Sequence, residues 1–258
     1  METNRMPALF IGHGSPMNAI EDNEYNRGWA AAARDLPRPA TILCISAHWE
    51  TRGSFVTAEE TPRTIHDFGG FPRALYEMQY PAPGQPELAA RIAQLAPAAS
   101  VQPATNWGLD HGTWSVLCRM YPKADIPVFQ LSVNARASME EHEAIGRSLR
   151  ALRDEGALIM GSGNVVHNLA RVDWHTPGGF QWAGEFDGYI KRAILEGRRD
   201  DVLHYERAGK AASLAFTMPD HYAPLLYALG ASDEHDSIRV FNEACVLGSL
   251  SMTSYLFG

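Results

Sequence analysis

Residues 40–47 read Ala-Thr-Ile-Leu-Cys-Ile-Ser-Ala, and His48 and Trp49 follow directly. The run is apolar and continuous, and it lacks the alternation of a strand that faces water on one side. Such runs are typical of strands buried on both faces, in sheets that helices cover on either side. We therefore predict a central strand of an α/β sheet here, with His48 at its end.

The rest of the chain alternates between strand-like and helix-like segments on both sides of this run. Further strands are predicted at residues 7–11, 54–58, 126–133, 157–160, 238–246 and 249–257. Helices are predicted at residues 87–95, 138–155, 182–197 and 221–229. This alternation favours a layered α/β fold, and since no repeat or linker interrupts it, residues 1–258 are interpreted as one domain.

The composition restricts the partners and the compartment. The 258 residues carry a formal net charge of -8 and three cysteines. Nucleic acids and anionic membranes are bound through basic patches, so this charge disfavours both as partners. We find no signal-peptide pattern and no apolar run near the ~20 residues that span a bilayer. The odd, widely spaced cysteines disfavour a disulfide framework, and we expect a cytoplasmic protein with reduced thiols.

Three histidines lie close to the ends of predicted strands. His13 follows the first strand in Gly-His-Gly-Ser-Pro, His48 ends the second, and His167 follows the strand at 157–160. In open α/β sheets the carboxyl ends of the strands form the edge where ligands bind. Neutral imidazole is the commonest metal ligand in proteins. The pattern therefore indicates a metal site at this edge, although a lone buried histidine is more often a hydrogen-bonded core residue than a ligand.

Further histidines lie in less regular segments. His221 is expected to open a helix after Pro-Asp, and His111 lies in a turn before a helix that begins near Thr113. His142 falls on a polar helix face, which predicts a solvated side chain. Residues 59–86 are rich in glycine, proline and aromatics, and a loop of this length is usually a functional lid or wall. His66 lies within it.

Six blocks of sequence combine these histidines in a specific order. They are Gly-His-Gly-Ser-Pro at 12–16, Ser-Ala-His-Trp at 46–49, Ile-His-Asp-Phe-Gly-Gly-Phe-Pro at 65–72, Trp-Gly-Leu-Asp-His-Gly at 107–112, Ser-Gly-Asn-Val-Val-His-Asn at 162–168 and Pro-Asp-His-Tyr at 219–222. Together they resemble the DODA-type extradiol ring-cleavage dioxygenases of the class III family, and most of all the bacterial 4,5-DOPA dioxygenase group. The resemblance runs from residue 7 to the C-terminus.

This resemblance implies a three-layer α/β/α domain with a mixed central sheet. It implies one divalent metal, Fe(II) for activity with Zn(II) plausible in the same place, and a small catechol and O2 as partners. L-DOPA, opened at its 4,5 bond, is one catechol that fits. The residues that match the family's metal ligands are His13, His48 and His221. Asp220 and Glu243 remain alternative carboxylate ligands.

The resemblance also implies roles around the metal. His167 matches either a fourth ligand in a zinc form or an acid/base, and His111 matches a residue that contacts substrate or oxygen. An uncharged histidine suits deprotonation of a catechol near neutral pH, which makes either of them the candidate base. Substrate-pocket candidates are His66, Phe68, Trp49 and Tyr222.

Two other functions compete with ring cleavage. A zinc hydrolase or amidase on a related α/β scaffold would need a carboxylate base near the metal, such as Asp110 or Glu243. A non-catalytic metal-binding protein of this fold is the other. Oxygen consumption with a catechol separates the dioxygenase from both.

Overall fold

The computed structural model describes residues 5–258, and within them eight strands form one sheet. In chain order the strands are β1 Ala8–Gly12, β2 Thr41–Thr51, β3 Phe55–Thr57, β4 Gln102–Ala104, β5 Val128–Asn134, β6 Ala157–Gly163, β7 Ile238–Phe241, β8 Cys245–Val246, β9 Leu250–Ser251 and β10 Ser254–Phe257. The sheet has the order β4-β3-β5-β2-β6-β1-β10-β7, while β8 and β9 pair separately.

Helices cover both faces of this sheet. They are α1 Glu24–Asp35, α2 Arg73–Tyr76, α3 Pro86–Leu95, α4 His111–Met120, α5 Met139–Leu149, α6 Gln181–Leu195, α7 Arg199–Leu203, α8 Ala212–Ala215 and α9 Ala223–Ala231. Helices α3, α5, α6 and α9 contribute to one apolar cluster, and α1 and α4 contribute to another.

The central strand β2 explains why there are two clusters. Leu43 and Ile45 point into the cluster beside α5 and α9, whereas Ile42 and Cys44 point into the cluster beside α1 and α4. Side chains of a strand alternate between the two faces, so a continuous apolar run supplies both cores at once. Strands β1, β6, β2 and β5 are parallel neighbours, and β10 is antiparallel to β1. The predicted three-layer fold with a mixed sheet is confirmed.

Several predicted boundaries were wrong. The helix predicted at 221–229 begins at Ala223, so His221 precedes it in a turn. The helix predicted at 138–155 is α5 followed by a 3-10 turn over Arg150–Glu155. The two C-terminal segments divide into four short strands, β7 to β10. Helix α1 and strand β4 were not predicted at all.

The expectation for His142 was also wrong. Its side chain is 2% exposed, and its Nδ1 lies 3.0 Å from the hydroxyl of Tyr227. Helices α5 and α9 pack closely, and the tyrosine on α9 supplies the polar partner that makes burial tolerable. Polar neighbours in the sequence gave no sign of this contact.

The parallel strands bring the site residues to one edge. Gly12 pairs with Gly163 at the ends of β1 and β6, and the amide of His13 donates to the carbonyl of Gly163 at 3.0 Å. The amide of Asn164 donates to the carbonyl of His221 at 2.9 Å. The segments that carry His13 and His221 are therefore fixed to the same strand end.

Candidate metal centre

Five histidines, distant in sequence, meet at the carboxyl edge of the sheet. The ring centroid of His48 lies 4.9 Å from that of His13, 3.8 Å from that of His111 and 4.9 Å from that of His221. The rings of His167 and His221 stack in parallel with their centroids 3.4 Å apart. The structure thus brings together all five histidines that the sequence singled out for metal chemistry.

Three of the five offer ring nitrogens close enough to share one ion. Ligand atoms of His13, His48 and His111 all lie within 4.8 Å of one another. The Nε2 atoms of His13 and His48 face each other at 3.1 Å. His221 adjoins this group, with its ring centroid 5.3 Å from that of His13. His13 and His48 are therefore common to both ligand sets: the geometric group adds His111, whereas the resemblance had implied His221, whose ring lies beside the group.

Local backbone geometry allows this crowding. The pairing of β2 with β5 shifts register between Ser46 and Glu50, so His48 lies at a bulge inside β2 and not at its end, as the sequence had suggested. Gly163 provides room for the segment bearing His221: a Cβ there would lie 2.1 Å from the carbonyl oxygen of His221. A Cβ on Gly112 would lie 2.9 Å from the ring of His48.

The Nδ1 atoms of the clustered histidines have polar partners that fix which nitrogen carries hydrogen. Nδ1 of His13 lies 2.9 Å from the hydroxyl of Ser162, and that hydroxyl donates to the carbonyl of Gly112 at 2.6 Å. The hydroxyl hydrogen is thus committed, so the serine oxygen accepts from the imidazole. His13 therefore carries its hydrogen on Nδ1 and points the lone pair of Nε2 inward.

Carboxylates face Nδ1 of the neighbouring imidazoles. Nδ1 of His111 lies 2.8 Å from Asp67 Oδ2, and Nδ1 of His221 lies 3.1 Å from Asp220 Oδ2. Nδ1 of His48 lies 3.5 Å from the same Asp67 oxygen. Ionised carboxylates only accept hydrogen bonds, so Nδ1 of His111 and Nδ1 of His221 carry the hydrogen, and Nε2 of each keeps its lone pair. This arrangement is typical of histidines that hold a metal.

These observations fit a bound divalent cation. The Nε2 atoms of His13 and His48 lie 3.1 Å apart, a separation that suits two neighbouring ligands of one ion. The Nε2 of His221 is buried and finds no hydrogen-bond partner among residues 5–258. A buried nitrogen without a partner is costly, and a metal would satisfy it.

Burial keeps the paired imidazoles neutral. Desolvation, followed by the neighbouring imidazoles, lowers the pKa of His13 and of His48 well below the usual value. The same causes, burial first and then His221, lower the pKa of His167 to about 2. Neutral imidazoles bind a metal without first losing a proton.

The chain matches one protein family over nearly its whole length. Residues 7–258 match the family model described as the catalytic LigB subunit of aromatic ring-opening dioxygenase. The chain belongs to this family. It is 49% identical to a "4,5-DOPA dioxygenase extradiol" of Escherichia coli K12, covering 100% of this chain and 97% of that protein. A Beta vulgaris protein of the same name is 39% identical, covering 99% and 98%.

A solved structure carries the same fold. The crystal structure of an uncharacterized Escherichia coli K12 protein superposes with a TM-score of 0.86 and 44% identity, covering 98% of this chain and 100% of that one. The chain is therefore an aromatic ring-opening dioxygenase whose histidines could hold one metal. The competing hydrolase and non-catalytic interpretations are not supported by these matches.

The carboxylates considered as alternative ligands or bases lie elsewhere in the dioxygenase. Asp220 bonds to Nδ1 of His221, on the far edge of that ring from Nε2. Glu243 is half-exposed and pairs with Lys191. Asp110 is fully buried as the N-cap of α4, and its oxygens accept from several groups, including the hydroxyl of Ser46 at 2.6 Å. Asp220 thus serves His221, Asp110 caps a helix, and Glu243 lies in a surface ion pair.

Aromatic side chains of the long loop form one wall beside the histidines. Phe68 meets the ring of His111 edge-on, with centroids 5.5 Å apart. The ring of His66 packs against Trp114, and its Nε2 donates to the carbonyl of Met78 at 3.0 Å. The loop Thr64 to Pro81 contains only the short helix α2 within the part of the chain described. His66 and Phe68 remain pocket candidates.

The other two pocket candidates differ in placement. Trp49 is buried and stacks in parallel on Trp107, with centroids 5.8 Å apart. Tyr222 is 0% exposed, and its hydroxyl donates to the carbonyl of Val202 at 2.8 Å. Tyr222 as a pocket residue is therefore wrong: it neighbours His221 in sequence, but its side chain packs in the apolar core with Phe186 and Phe216.

Two residues that contact the histidines were missed as functional candidates, although both lie inside the quoted blocks. Asp67 contacts two imidazoles, and Ser162 contacts one. The sequence signal for Asp67 was a single acidic residue that lies between His66 and Phe-Gly-Gly in an aromatic segment.

Proposed function

We propose that this protein is an extradiol dioxygenase that opens a catechol ring with O2, using one metal ion held by His13, His48 and His221. The observation that carries the proposal is the approach of the Nε2 atoms of His13 and His48 to 3.1 Å, with the ring of His221 beside them. Nδ1 of His13 is bonded to Ser162 and Nδ1 of His221 to Asp220, which leaves both Nε2 atoms for a metal. The buried, unpartnered Nε2 of His221 supports it as the third ligand.

The metal that suits this reaction is Fe(II). When bound, it supplies the redox activity for reaction with O2 and acidifies the coordinated catechol hydroxyls. Nitrogen donors also accept Zn(II), which has no redox chemistry, so a zinc-filled protein would be inactive. An all-histidine ligand set leaves the charge of the metal uncompensated, which favours an anionic catecholate in the site.

The names of the relatives and the aromatic side chains beside His111 both indicate the substrate class. The two relatives compared above carry a name that specifies DOPA and its 4,5 position. We propose L-DOPA or a similarly substituted catechol as the substrate, opened at the 4,5 bond. Phe68 and His66 lie beside His111 and offer flat surfaces for an aromatic ring.

Proton transfer is assigned to His111 or His167. Nδ1 of His111 is bonded to Asp67, so its Nε2 is the nitrogen that would accept a proton from a catechol hydroxyl. Once protonated, the same nitrogen donates a hydrogen bond to oxygen that gains negative charge. His167 stacks on His221 and is either a second acid/base or a fourth ligand in a zinc form.

The compartment proposed for this chemistry is the cytoplasm. Cys44, Cys118 and Cys245 are free thiols, which fits a reducing environment. No helix in residues 5–258 has the length and apolarity needed to cross a membrane.

The proposal is tested by anaerobic Fe(II) loading followed by an oxygen-electrode screen over catechols. We expect oxygen uptake and a coloured ring-opened product from the wild type. The variant His48→Ala should lose both bound metal and oxygen uptake, whereas His235→Ala, at an exposed histidine remote from the cluster, should keep both. Turnover at the wild-type rate in His48→Ala would remove His48 from the site.

A further inference from the structure

Asp67 links the aromatic loop to the histidine cluster through three contacts. Its Oδ1 accepts from the backbone amide of His111 at 2.8 Å, and its Oδ2 accepts from Nδ1 of the same residue at 2.8 Å. The same Oδ2 lies 3.5 Å from Nδ1 of His48. The carboxylate is largely buried, with 14% of its side chain exposed. One acidic side chain thus touches two imidazoles of the candidate metal centre.

We propose that Asp67 is a positioning residue that fixes the tautomer and orientation of His111 and steadies His48. Because Asp67 accepts hydrogen bonds from both the backbone amide and the ring of His111, it fixes the His111 side chain relative to the start of α4. Because it only accepts hydrogen bonds, it requires hydrogen on Nδ1 and leaves the Nε2 lone pair of His111 facing the cluster.

The carboxylate of Asp67 lies where a helix begins. His111 is the first residue of α4, so Asp67 lies at the amino end of a ten-residue helix. The helix dipole and free amide groups there attract negative charge. Asp110, the N-cap of this helix, already satisfies the amide of Thr113. Asp67 satisfies the amide of His111, an additional donor of the first turn.

The loop around Asp67 is held by the same contacts. His66 packs on Trp114 of α4, and Phe68 packs on His111 and on Trp114. The aromatic wall and the imidazoles are therefore set by one segment, and displacement of Asp67 would disturb both. The consequence for turnover rests on the proposed function, whereas the tautomer of His111 does not.

The tautomer is measured directly in the metal-free protein. Long-range proton–nitrogen NMR spectra of imidazoles distinguish hydrogen on Nδ1 from hydrogen on Nε2. We expect His111 of the chelator-treated wild type to carry hydrogen on Nδ1. A wild-type His111 with hydrogen on Nε2 would overturn the proposal without any variant being made.

The variant Asp67→Asn tests the positioning role. Its amide presents a donor in place of one carboxylate oxygen, so we expect His111 to shift toward the Nε2 tautomer. Glu77→Gln is the matched control, because Glu77 lies in the same loop but is exposed and pairs with Arg73. An unchanged His111 tautomer in a folded Asp67→Asn protein would contradict the proposal.

Metal binding and turnover supply the second readout. We expect the zinc affinity or the turnover rate of Asp67→Asn to be roughly 10- to 100-fold lower than that of the wild type. Substitutions of residues that hydrogen-bond to metal-ligating histidines usually have an effect of this size. The loss of turnover should fall on kcat more than on KM, and Glu77→Gln should behave as wild type. If the wild type oxidises no catechol, the proposed function fails while the tautomer result still decides the role of Asp67. Unchanged zinc affinity and turnover in Asp67→Asn would exclude the role.

Discussion

At the scale of single residues, the five imidazoles are distinguished by what lies behind them. His13 is backed by a serine hydroxyl, whereas His48, His111 and His221 are backed by carboxylates. These partners lie behind four of the rings, and such contacts are typical of histidines that hold a metal. His111 and His221 are the two candidates for the third metal ligand.

The variant His111→Ala separates these two. We expect it to keep its bound metal and to lose most of its turnover, because the base and hydrogen-bond donor is removed while His13, His48 and His221 remain. Metal content by elemental analysis and oxygen uptake on the same sample provide the measurement. Collapse of the metal content would instead make His111 a ligand.

The variant Gly163→Ala tests the close approach of His221. Its new Cβ would lie 2.1 Å from the carbonyl oxygen of His221, so the backbone there must move. We expect about 1–3 kcal/mol lower stability from such overpacking, together with weaker metal binding. Urea unfolding and zinc titration measure the two effects.

Gly184 provides the control for this substitution. It lies in α6, where an added Cβ has nothing within 4 Å, so Gly184→Ala should not destabilise the protein and should leave zinc affinity unchanged. Equal behaviour of the two variants would show that the space beside Gly163 is not important for the site.

Sequence alone identified the histidines but not their partners. Histidine blocks are recognisable because imidazole chemistry needs that residue type at strand ends. The contact of Asp67 with His48 joins a loop to a strand and depends on how the loop folds back, which no local pattern encodes. Tyr222 failed as a prediction for the same reason: adjacency to His221 says nothing about the direction of its side chain.

At the scale of elements, strong local patterns in the sequence predicted whether a segment is a strand or a helix better than they predicted its bounds. The apolar run at 40–47 correctly predicted β2, but the strand continues to Thr51 through a bulge that carries His48. Helix α5 begins where its capping box indicated. The short strand β4 has only three residues and contains Pro103, so no periodicity marks it. Tertiary pairing, rather than propensity, determines such elements.

The packing of α5 on α9 makes stability depend on pH through His142. Burial lowers the pKa of this imidazole to about 4. In the unfolded chain it takes up a proton below about pH 6.5, which the folded state resists. Stability is therefore lost as the pH falls from about 6.5 to 4, and this one group contributes about 3 kcal/mol of that loss.

Replacement of His142 with glutamine removes this contribution. We expect urea midpoints of His142→Gln to fall less between pH 7 and pH 4.5 than those of the wild type. His235→Ala, at a solvent-exposed histidine, should retain the wild-type slope. Identical slopes for His142→Gln and wild type would mean that His142 is not neutral in the fold.

At the scale of the whole molecule, one buried arginine joins segments from both ends of the described chain. Arg153 is 1% exposed, and its guanidinium donates to both carboxylate oxygens of Asp236 and to the carbonyls of Met6, Ala231 and Phe257. This network lies at the amino ends of β1 and β6, opposite the histidine edge. It stabilises the fold without touching the site.

The variant Arg153→Met therefore separates stability from chemistry. It removes the two-pronged partner of the buried carboxylate of Asp236 and leaves Arg5 at 3.9 Å, which we expect to cost about 3–5 kcal/mol of unfolding free energy. Zinc affinity at low temperature should not change. Arg91→Met, which breaks the exposed pair with Glu155, should change stability little. Loss of metal binding in folded Arg153→Met would show that the two ends of the sheet are coupled.

The most direct measurement is the isotopic composition of the product formed under ¹⁸O2. The Fe(II)-loaded protein is given L-DOPA or another accepted catechol, and the ring-opened product is analysed by mass spectrometry. If the imidazoles gathered around His48 support ring cleavage as proposed, both atoms of one O2 enter the product and the signal depends on Fe(II). Product that carries no label, or oxygen uptake that persists in His48→Ala, would contradict the account.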